Sequence, residues 1–381
     1  MVRRPRQLLR RPDRAVSGVG DLAVPPGATW DDLAPDLRGL LDASPHAPRA
    51  VTLATSGSSG TPKRVRLPGA ALRASGEATA ALLGGHGRWV LALPTHHVAG
   101  LQVLARSALA GTDPVALEPG APFTAEAFAR AVDRLGTPST SAPLRLVSLV
   151  PTQLARLLDH AAGTRALQEI DAVLLGGAAA DAGLLGRARE AGARVVTTYG
   201  MSETSGGCVY DGAPLRDVRV RVEEDGRVSL GGPVLAEGYA DRPDLTAERF
   251  RTDADGTRWF RTDDRGVWRA GRLTVLGRLD DVIVTGGHKV EPRDVETALR
   301  RLPGVSDALV VGVADPEWGH RVAALLVPSG QPLPTDRLRR SLSPGLPRHA
   351  VPRQVVWRDS LPLLESGKPD RAAARELLGE G

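Results

Sequence analysis

A single cysteine, Cys208, stands in a chain of 381 residues. That excludes an intramolecular disulfide and a thiolate cage around a metal, and the expected reading is a small semi-buried side chain rather than a nucleophile. Aromatic residues make up only 3% of the chain, and no stacking motif is present, so a nucleic-acid surface is not expected despite the formal charge of +5. Residues 1–14 carry all of that excess, with six arginines (Arg3, Arg4, Arg6, Arg10, Arg11, Arg14) against one aspartate. No apolar run approaches the ~18 residues that span a bilayer, and the N-terminus lacks the apolar core of a secretory signal. A cytoplasmic protein without membrane insertion is the expectation. Lysine is also scarce. Three lysines face 46 arginines, which suggests that lysine was kept only where a compact ammonium does what a planar guanidinium cannot.

Those three lysines sit in glycine-rich stretches: Lys63 in TSGSSGTPKRV, Lys289 in VTGGHKVEP and Lys368 in LLESGKPDR. The hydrophobic content of 42% is enough for a large core divided among two or three domains. VTLAT, WVLALP, RLVSLVP, AVLLGG and RVVTTYG read as buried strands alternating with helices near 71–83, 100–110, 124–135, 152–161 and 182–191. That is a doubly wound α/β pattern, in which TSG, LPTHH, GGAAA and YGMSET leave the carboxyl ends of strands and converge. From about 215 to 276 the texture changes to hairpins, one turning at Asp225 and Gly226. After Gly277 an α+β unit follows, with helices at 292–301 and 335–342, strands at 305–313, 321–327 and 353–358, and a last helix after Pro369.

Thr55, Ser56, Gly57, Ser58, Ser59, Gly60, Thr61 and Lys63 fit a phosphate loop: glycines let amides face an anion, hydroxyls donate, and the lysine adds a point charge. The spacing is not that of a Walker A loop, and a flexible Ser/Gly linker is the plain alternative. In YGMSET an aromatic ring can cover a base, a glutamate can hold Mg²⁺ through oxygen, and a threonine can meet a phosphate. A capped Tyr-Gly turn explains the same residues structurally. RTDDRG and GRLDDVIVTGGHKVEP follow, offering an aspartate to ribose hydroxyls with an arginine close behind.

In this order, across residues 50 to 373, the motifs resemble the adenylate-forming superfamily of acyl-CoA synthetases, peptide-synthetase adenylation domains and luciferases. The resemblance implies an α/β fold: a large N-terminal α/β domain with a β subdomain (1–279), which binds ATP and the acid, and a small mobile α+β C-terminal domain (280–381), hinged at Asp280. It places Thr55 to Lys63 on pyrophosphate oxygens and Gly176, Gly177, Ala178 and Tyr199 around the adenine, with Gly200 also in the ATP site. Asp264 and Arg278 fall on the ribose, Glu203 on Mg²⁺, and Thr204 on the α-phosphate. Lys368 matches the catalytic lysine. The implied reaction joins a small-molecule carboxylic acid, ATP and CoA in two steps, with Val284 to Lys289 entering the site for the second. One departure is Thr262-Asp263-Asp264 in place of Thr-Gly-Asp, which adds a charge beside the ribose. The short chain argues against a long acyl tunnel or a carrier-docking region.

The acid depends on LPTHHVAGLQVLARS, where His97, Gln102 and Arg106 are the candidate substrate contacts. Arg106 is either a helix-surface charge or a two-pronged partner for a carboxylate, and His96 and His97 are either pocket-lining or ordinary loop residues. This stretch, with the chain length, is similar to the actinobacterial group of o-succinylbenzoate:CoA ligases of menaquinone biosynthesis. Another small aryl or alkyl acid, an adenylating module that loads a carrier protein, and a non-catalytic nucleotide binder are the competing readings. Retention of Lys368, Glu203 and the phosphate loop weighs against the last. The oligomeric state is left open, a homo-oligomer included.

Overall fold

The computed structural model describes residues 20–44, 46–55, 63–118, 122–136, 143–364 and 369–379. Its largest sheet has seven strands in the order Ala213–Pro214, Gly206–Tyr210, Val195–Met201, Ala172–Leu175, Leu144–Leu149, Gly87–Leu91 and Val115–Ala116. The last five run parallel. Their apolar runs follow from burial on both faces. Trp89, Leu146 and Leu174 point into one hydrophobic cluster with Leu72, Leu101 and Leu104, while Val90, Val147 and Val173 point into another with Phe128, Leu154 and Leu167. Successive side chains alternate across the sheet, so each strand feeds both layers. The chain steps outward from Gly87–Leu91 to Val115–Ala116 and then returns to the other side for Leu144–Leu149. This reversal puts Leu93 to His97 at the switch point of the sheet, where α/β folds bind ligands.

The Ala50–Thr55 strand is not part of this sheet, which corrects the expectation for TSG. It lies in a four-stranded sheet ordered Leu22–Ala23, Ala50–Thr55, Lys63–Pro68, Gly238–Tyr239. The seven residues after Thr55 are too few for a parallel crossover, so the chain folds back and Thr55 pairs antiparallel with Lys63. Three helices also lie outside the expectation, Trp30–Leu41, Ala161–Gln168 and Pro243–Arg249.

The hairpin region is a separate five-stranded sheet built around the long strand Arg258–Arg269, which pairs with Arg272–Arg278. The hairpin Arg219–Val222 to Arg227–Gly231 turns through Gly226 at φ 85°. Beyond it, Ile283–Thr285, His288–Val290, Val305–Asp315, Gly319–Pro328 and Gln354–Trp357 form the fourth sheet. The Pro292–Arg300 and Thr335–Leu342 helices bury Val295, Leu299, Leu338 and Leu342 on one face of it. The Arg371–Gly379 helix buries Ala374 and Leu378 on the other. An Arg265–Glu291 ion pair at 2.5 Å and a hydrogen bond from Arg293 to the Val275 carbonyl join this unit to the hairpin sheet. Among the described residues no helix is long and apolar enough to cross a membrane.

Candidate active site

Tyr199 projects from the Val195–Met201 strand and donates its hydroxyl to Asp264 Oδ2 at 2.7 Å. Asp264 is held in turn by its own backbone, whose N–H donates to Thr262 Oγ1 at 3.0 Å, while the buried Thr262 hydroxyl donates to the Val228 carbonyl at 2.8 Å. The register sets Asp264 directly opposite Arg278, with 3.9 Å between charged atoms. Burial pushes the Asp264 carboxyl above the ordinary range, partly offset by the Tyr199 hydrogen bond and the Arg278 charge. Burial first, then the Asp264 charge, holds the Tyr199 phenol neutral well above its usual value. Arg278 forks onto Asp280, with Nε and Nη2 at 2.8 and 2.7 Å, so the ribose candidate and the hinge candidate share one guanidinium. Asp263, the additional charge beside Asp264, is compensated by Arg227 at 3.3 Å and by Arg249.

Gly176 and Gly177 follow the Ala172–Leu175 strand. A Cβ on Gly176 would come within 2.4 Å of Thr198 Oγ1, and Gly177 has φ 83°. Gly177 and Ala178 are exposed. At Gly200 a Cβ would meet the Gly206 carbonyl oxygen at 2.1 Å, so only glycine lets the YGMSET turn close on the next strand.

Within that turn, Glu203 Oε1 accepts from the Tyr239 hydroxyl at 2.8 Å. The Tyr239 ring lies 5.6 Å from Lys63 Nζ, and Thr55 Oγ1 donates to the Lys63 carbonyl at 3.3 Å. Tyr239 therefore links the exit of the candidate phosphate loop to the candidate metal ligand, with the ring face turned to a cation. Thr204 does not have the freedom expected of a phosphate contact. It is fully buried, and its hydroxyl oxygen lies 3.1 Å from the Met201 carbonyl and 2.8 Å from the Gly206 carbonyl while accepting from the Met201 N–H at 3.0 Å. Its observed role is to close the turn. Residues 56 to 62 and Lys368 lie outside the described residues.

His97 precedes the Val98–Ala110 helix, its ring 4.4 Å from that of His96. Gln102 is buried and donates to the Ser205 carbonyl at 2.7 Å, supporting Ser205 in its left-handed conformation (φ 51°). Gln102 Oε1 has no partner among the described residues. Arg106 is not a surface charge: it is 5% exposed. It donates to Thr79 Oγ1 and Tyr210 Oη at 3.2 Å each, and its guanidinium lies 5.2 Å from the Trp89 ring centroid. A small cavity lined by Gly76, Thr79, Trp89 and Leu146 adjoins it. No carboxylate pairs with Arg106 among the described residues, and its Nε is buried without a partner. Cys208 is fully buried, which pushes its thiol up to about 12, so it is no nucleophile at neutral pH.

The sequence reading singled out one tyrosine. The chain has three, and each hydroxyl meets a candidate site side chain: Tyr199 on Asp264, Tyr210 on Arg106 and Tyr239 on Glu203. The scarcity argument applied to lysine would have found the other two.

A magnesium ion fits this donor set. Among the described residues no group of three or more His, Cys, Asp or Glu could cage a metal. Glu203 has Tyr239 on one oxygen and no hydrogen bond to the other among those residues, which matches the single carboxylate that Mg²⁺ sites use alongside substrate phosphates.

The AMP-binding enzyme profile matches residues 28–239 and the AMP-binding enzyme C-terminal domain profile matches residues 294–368. A probable 2-succinylbenzoate–CoA ligase of Mycobacterium tuberculosis H37Rv is 47% identical over 87% of this chain and 85% of its own length. Among solved structures, the o-succinylbenzoate CoA synthetase of Bacillus subtilis in complex with its acyl-adenylate intermediate is similar with a TM-score of 0.73 and 29% identity, over 85% of this chain and 68% of that one. An amide bond synthetase from Marinactinospora thermotolerans is similar with a TM-score of 0.75 and 29% identity, over 88% and 70%.

Proposed function

The chain belongs to the AMP-binding enzyme family, and from that premise we propose that it joins 2-succinylbenzoate to CoA through an acyl-adenylate. In the first step a carboxylate oxygen of the acid attacks the α-phosphorus of ATP; the P–O bond to the β-phosphate breaks and pyrophosphate leaves with its electron pair. In the second the CoA thiol, losing its proton, attacks the acyl carbon and AMP departs.

Both reactants of the first step are anions, so charge neutralisation lowers the barrier. Lys368 supplies the mobile cation, Thr55 to Lys63 supply donors to the departing pyrophosphate, and Asp264 with Arg278 hold the ribose. Tyr199 and the Gly176 to Ala178 edge border the adenine. Magnesium, held by Glu203 and ATP phosphate oxygens, would neutralise phosphate charge when bound. Tyr239 fixes the Glu203 carboxylate, and Thr204 shapes the turn that presents it. For the second step the C-terminal unit, 280–381, turns about Asp280 and brings Val284 to Lys289 to the site.

The observation that carries the choice of acid is Arg106, a buried guanidinium with two hydroxyls, an indole face and, among the described residues, no anion. A buried cation without a counter-charge is costly, and a dicarboxylate offers one carboxylate for ATP and a second for Arg106. Losing a charge-assisted hydrogen bond costs about 1.5–3 kcal/mol. Arg106→Ala is therefore expected to raise the KM for 2-succinylbenzoate by roughly 10- to 100-fold and to leave benzoate-type monoacids unaffected. An unchanged KM would overturn the assignment.

A further inference from the structure

Arg371 is the first residue of the last helix, three positions after Lys368. Its guanidinium reaches three separate parts of the C-terminal unit. Nε lies 3.0 Å from Asp281 Oδ2, next in sequence to Asp280. Nη1 donates to Glu296 Oε1 at 2.8 Å in the Pro292–Arg300 helix and to the Val310 carbonyl at 2.6 Å in the Val305–Asp315 strand. Glu296 Oε1 also accepts from the Val310 N–H at 3.0 Å, so the knot has no slack.

The chain ahead of Arg371 is tied down as well. Leu363 and Pro369 form an antiparallel bridge, and the Asp370 N–H donates to the Pro362 carbonyl at 2.9 Å. The Asp370 carboxylate then accepts from the Ala372 and Ala373 N–H groups at 3.0 Å each, capping the helix. Ala374 and Leu378 already bury the helix against the sheet. Hydrophobic packing of that kind holds a helix on a sheet without dictating its rotation or slide, whereas a planar fork shared by two carboxylates and a carbonyl does.

We infer that Arg371 is a positioning residue for the adenylation step, registering the start of the last helix, three positions after Lys368 in sequence, against Asp281 beside Asp280 and against Glu296. The inference rests on the proposed roles of Lys368 and Asp280. Arg375, 3.7 Å from Asp281, and Arg300, 3.9 Å from Glu296, remain to neutralise the two carboxylates when Arg371 is replaced. The domain thus keeps its charge balance and loses the shared fork. Lysine in place of Arg371 reaches one carboxylate only.

The test separates the two half-reactions in the full-length enzyme. Arg371→Lys and Asp281→Asn are each measured for acyl-adenylate formation from 2-succinylbenzoate and ATP, and for thioester formation from supplied 2-succinylbenzoyl-AMP and CoA. A displacement near 1 Å at a reacting group costs on the order of 10²-fold. The expected result is a fall in the adenylation rate of between about 10- and 100-fold with KM for ATP unchanged, while thioester formation stays within about two-fold of wild type. A purely structural role would depress both half-reactions together, since Val284 to Lys289 belong to the same unit, and that outcome or unchanged adenylation overturns the proposal. Lys368→Ala run alongside distinguishes the premise. If it leaves adenylation intact, the role given to Lys368 falls; if it abolishes adenylation and Arg371→Lys does nothing, only the positioning role falls.

Discussion

Tyr239 joins Lys63 to Glu203 with a ring face and a hydroxyl, and the two contacts are separable. Tyr239→Phe keeps the face and removes the hydrogen bond to the carboxylate, an interaction worth about 1.5–3 kcal/mol. Adenylation should fall by about ten-fold or more, with a raised Mg²⁺ requirement; an unchanged Mg²⁺ titration would contradict the assignment. Asp264 gives a second test, through pH. Its folded-state pKa is raised, chiefly by burial, so the native state binds its proton more tightly than the unfolded chain and stability is lost as pH rises through the folded value. Asp264→Asn should therefore melt higher than wild type at pH 8, the gap closing at a pH below the ordinary carboxylate range, while ATP binding weakens. A lower melting temperature at pH 8 would refute this. Site chemistry was legible at this scale wherever a residue type was scarce or sat in a glycine-rich string. Arg106 stood among the candidate substrate contacts, but its burial was not legible because arginine is abundant here: nothing in one of 46 arginines marks it as buried, and only the partners Thr79 and Tyr210, 27 and 104 positions away, do.

The Ile283–Thr285 and His288–Val290 hairpin turns on Gly286 and Gly287 at φ 54° and 80°. A Cβ on Gly286 would come within 2.6 Å of Trp318 Cε3, so Gly286→Ala must shift either the turn or the indole. Since 284–289 is assigned to the second step, thioester formation should slow more than adenylation, and equal slowing of both would count against that assignment. Elements of the C-terminal unit from Pro292 onward were readable to within a few residues because Gly304, Gly319, Pro334 and Pro369 punctuate them sharply, whereas the short Ile283–Thr285 and His288–Val290 strands were not read. The Trp30–Leu41 helix was not read, although Leu33, Leu37, Leu40 and Leu41 mark a buried face and Thr29 with Asp32 forms a capping box; Pro35 interrupts the pattern in mid-helix. Lys63–Pro68 was missed for a different reason. Its outward positions are arginines, Arg64 on Asp241 and Arg66 on Asp21 and Glu237, and local propensity does not report partners that distant.

Across the whole molecule, one guanidinium contacts both the candidate ribose residue and the candidate hinge residue, since Arg278 lies between Asp264 and Asp280. The C-terminal unit meets the hairpin sheet through Arg265–Glu291 and Arg293–Val275, contacts of side chains rather than a shared core, which suits a unit that turns between steps. Which sheet each strand joins could not be read from sequence, because strand pairing across 172 positions, as between Arg66 and Gly238, leaves no local periodicity. The account as a whole claims an acyl-adenylate formed from a dicarboxylate and passed to a thiol. Mass spectrometry of a reaction containing ATP, Mg²⁺, CoA and 2-succinylbenzoate tests it most directly, with Lys368→Ala and Arg106→Ala alongside. The account predicts AMP and the CoA thioester in equal amounts from wild type and almost none from Lys368→Ala. From Arg106→Ala it predicts product only at raised acid concentration. Release of ADP, or full product from Lys368→Ala, would contradict it.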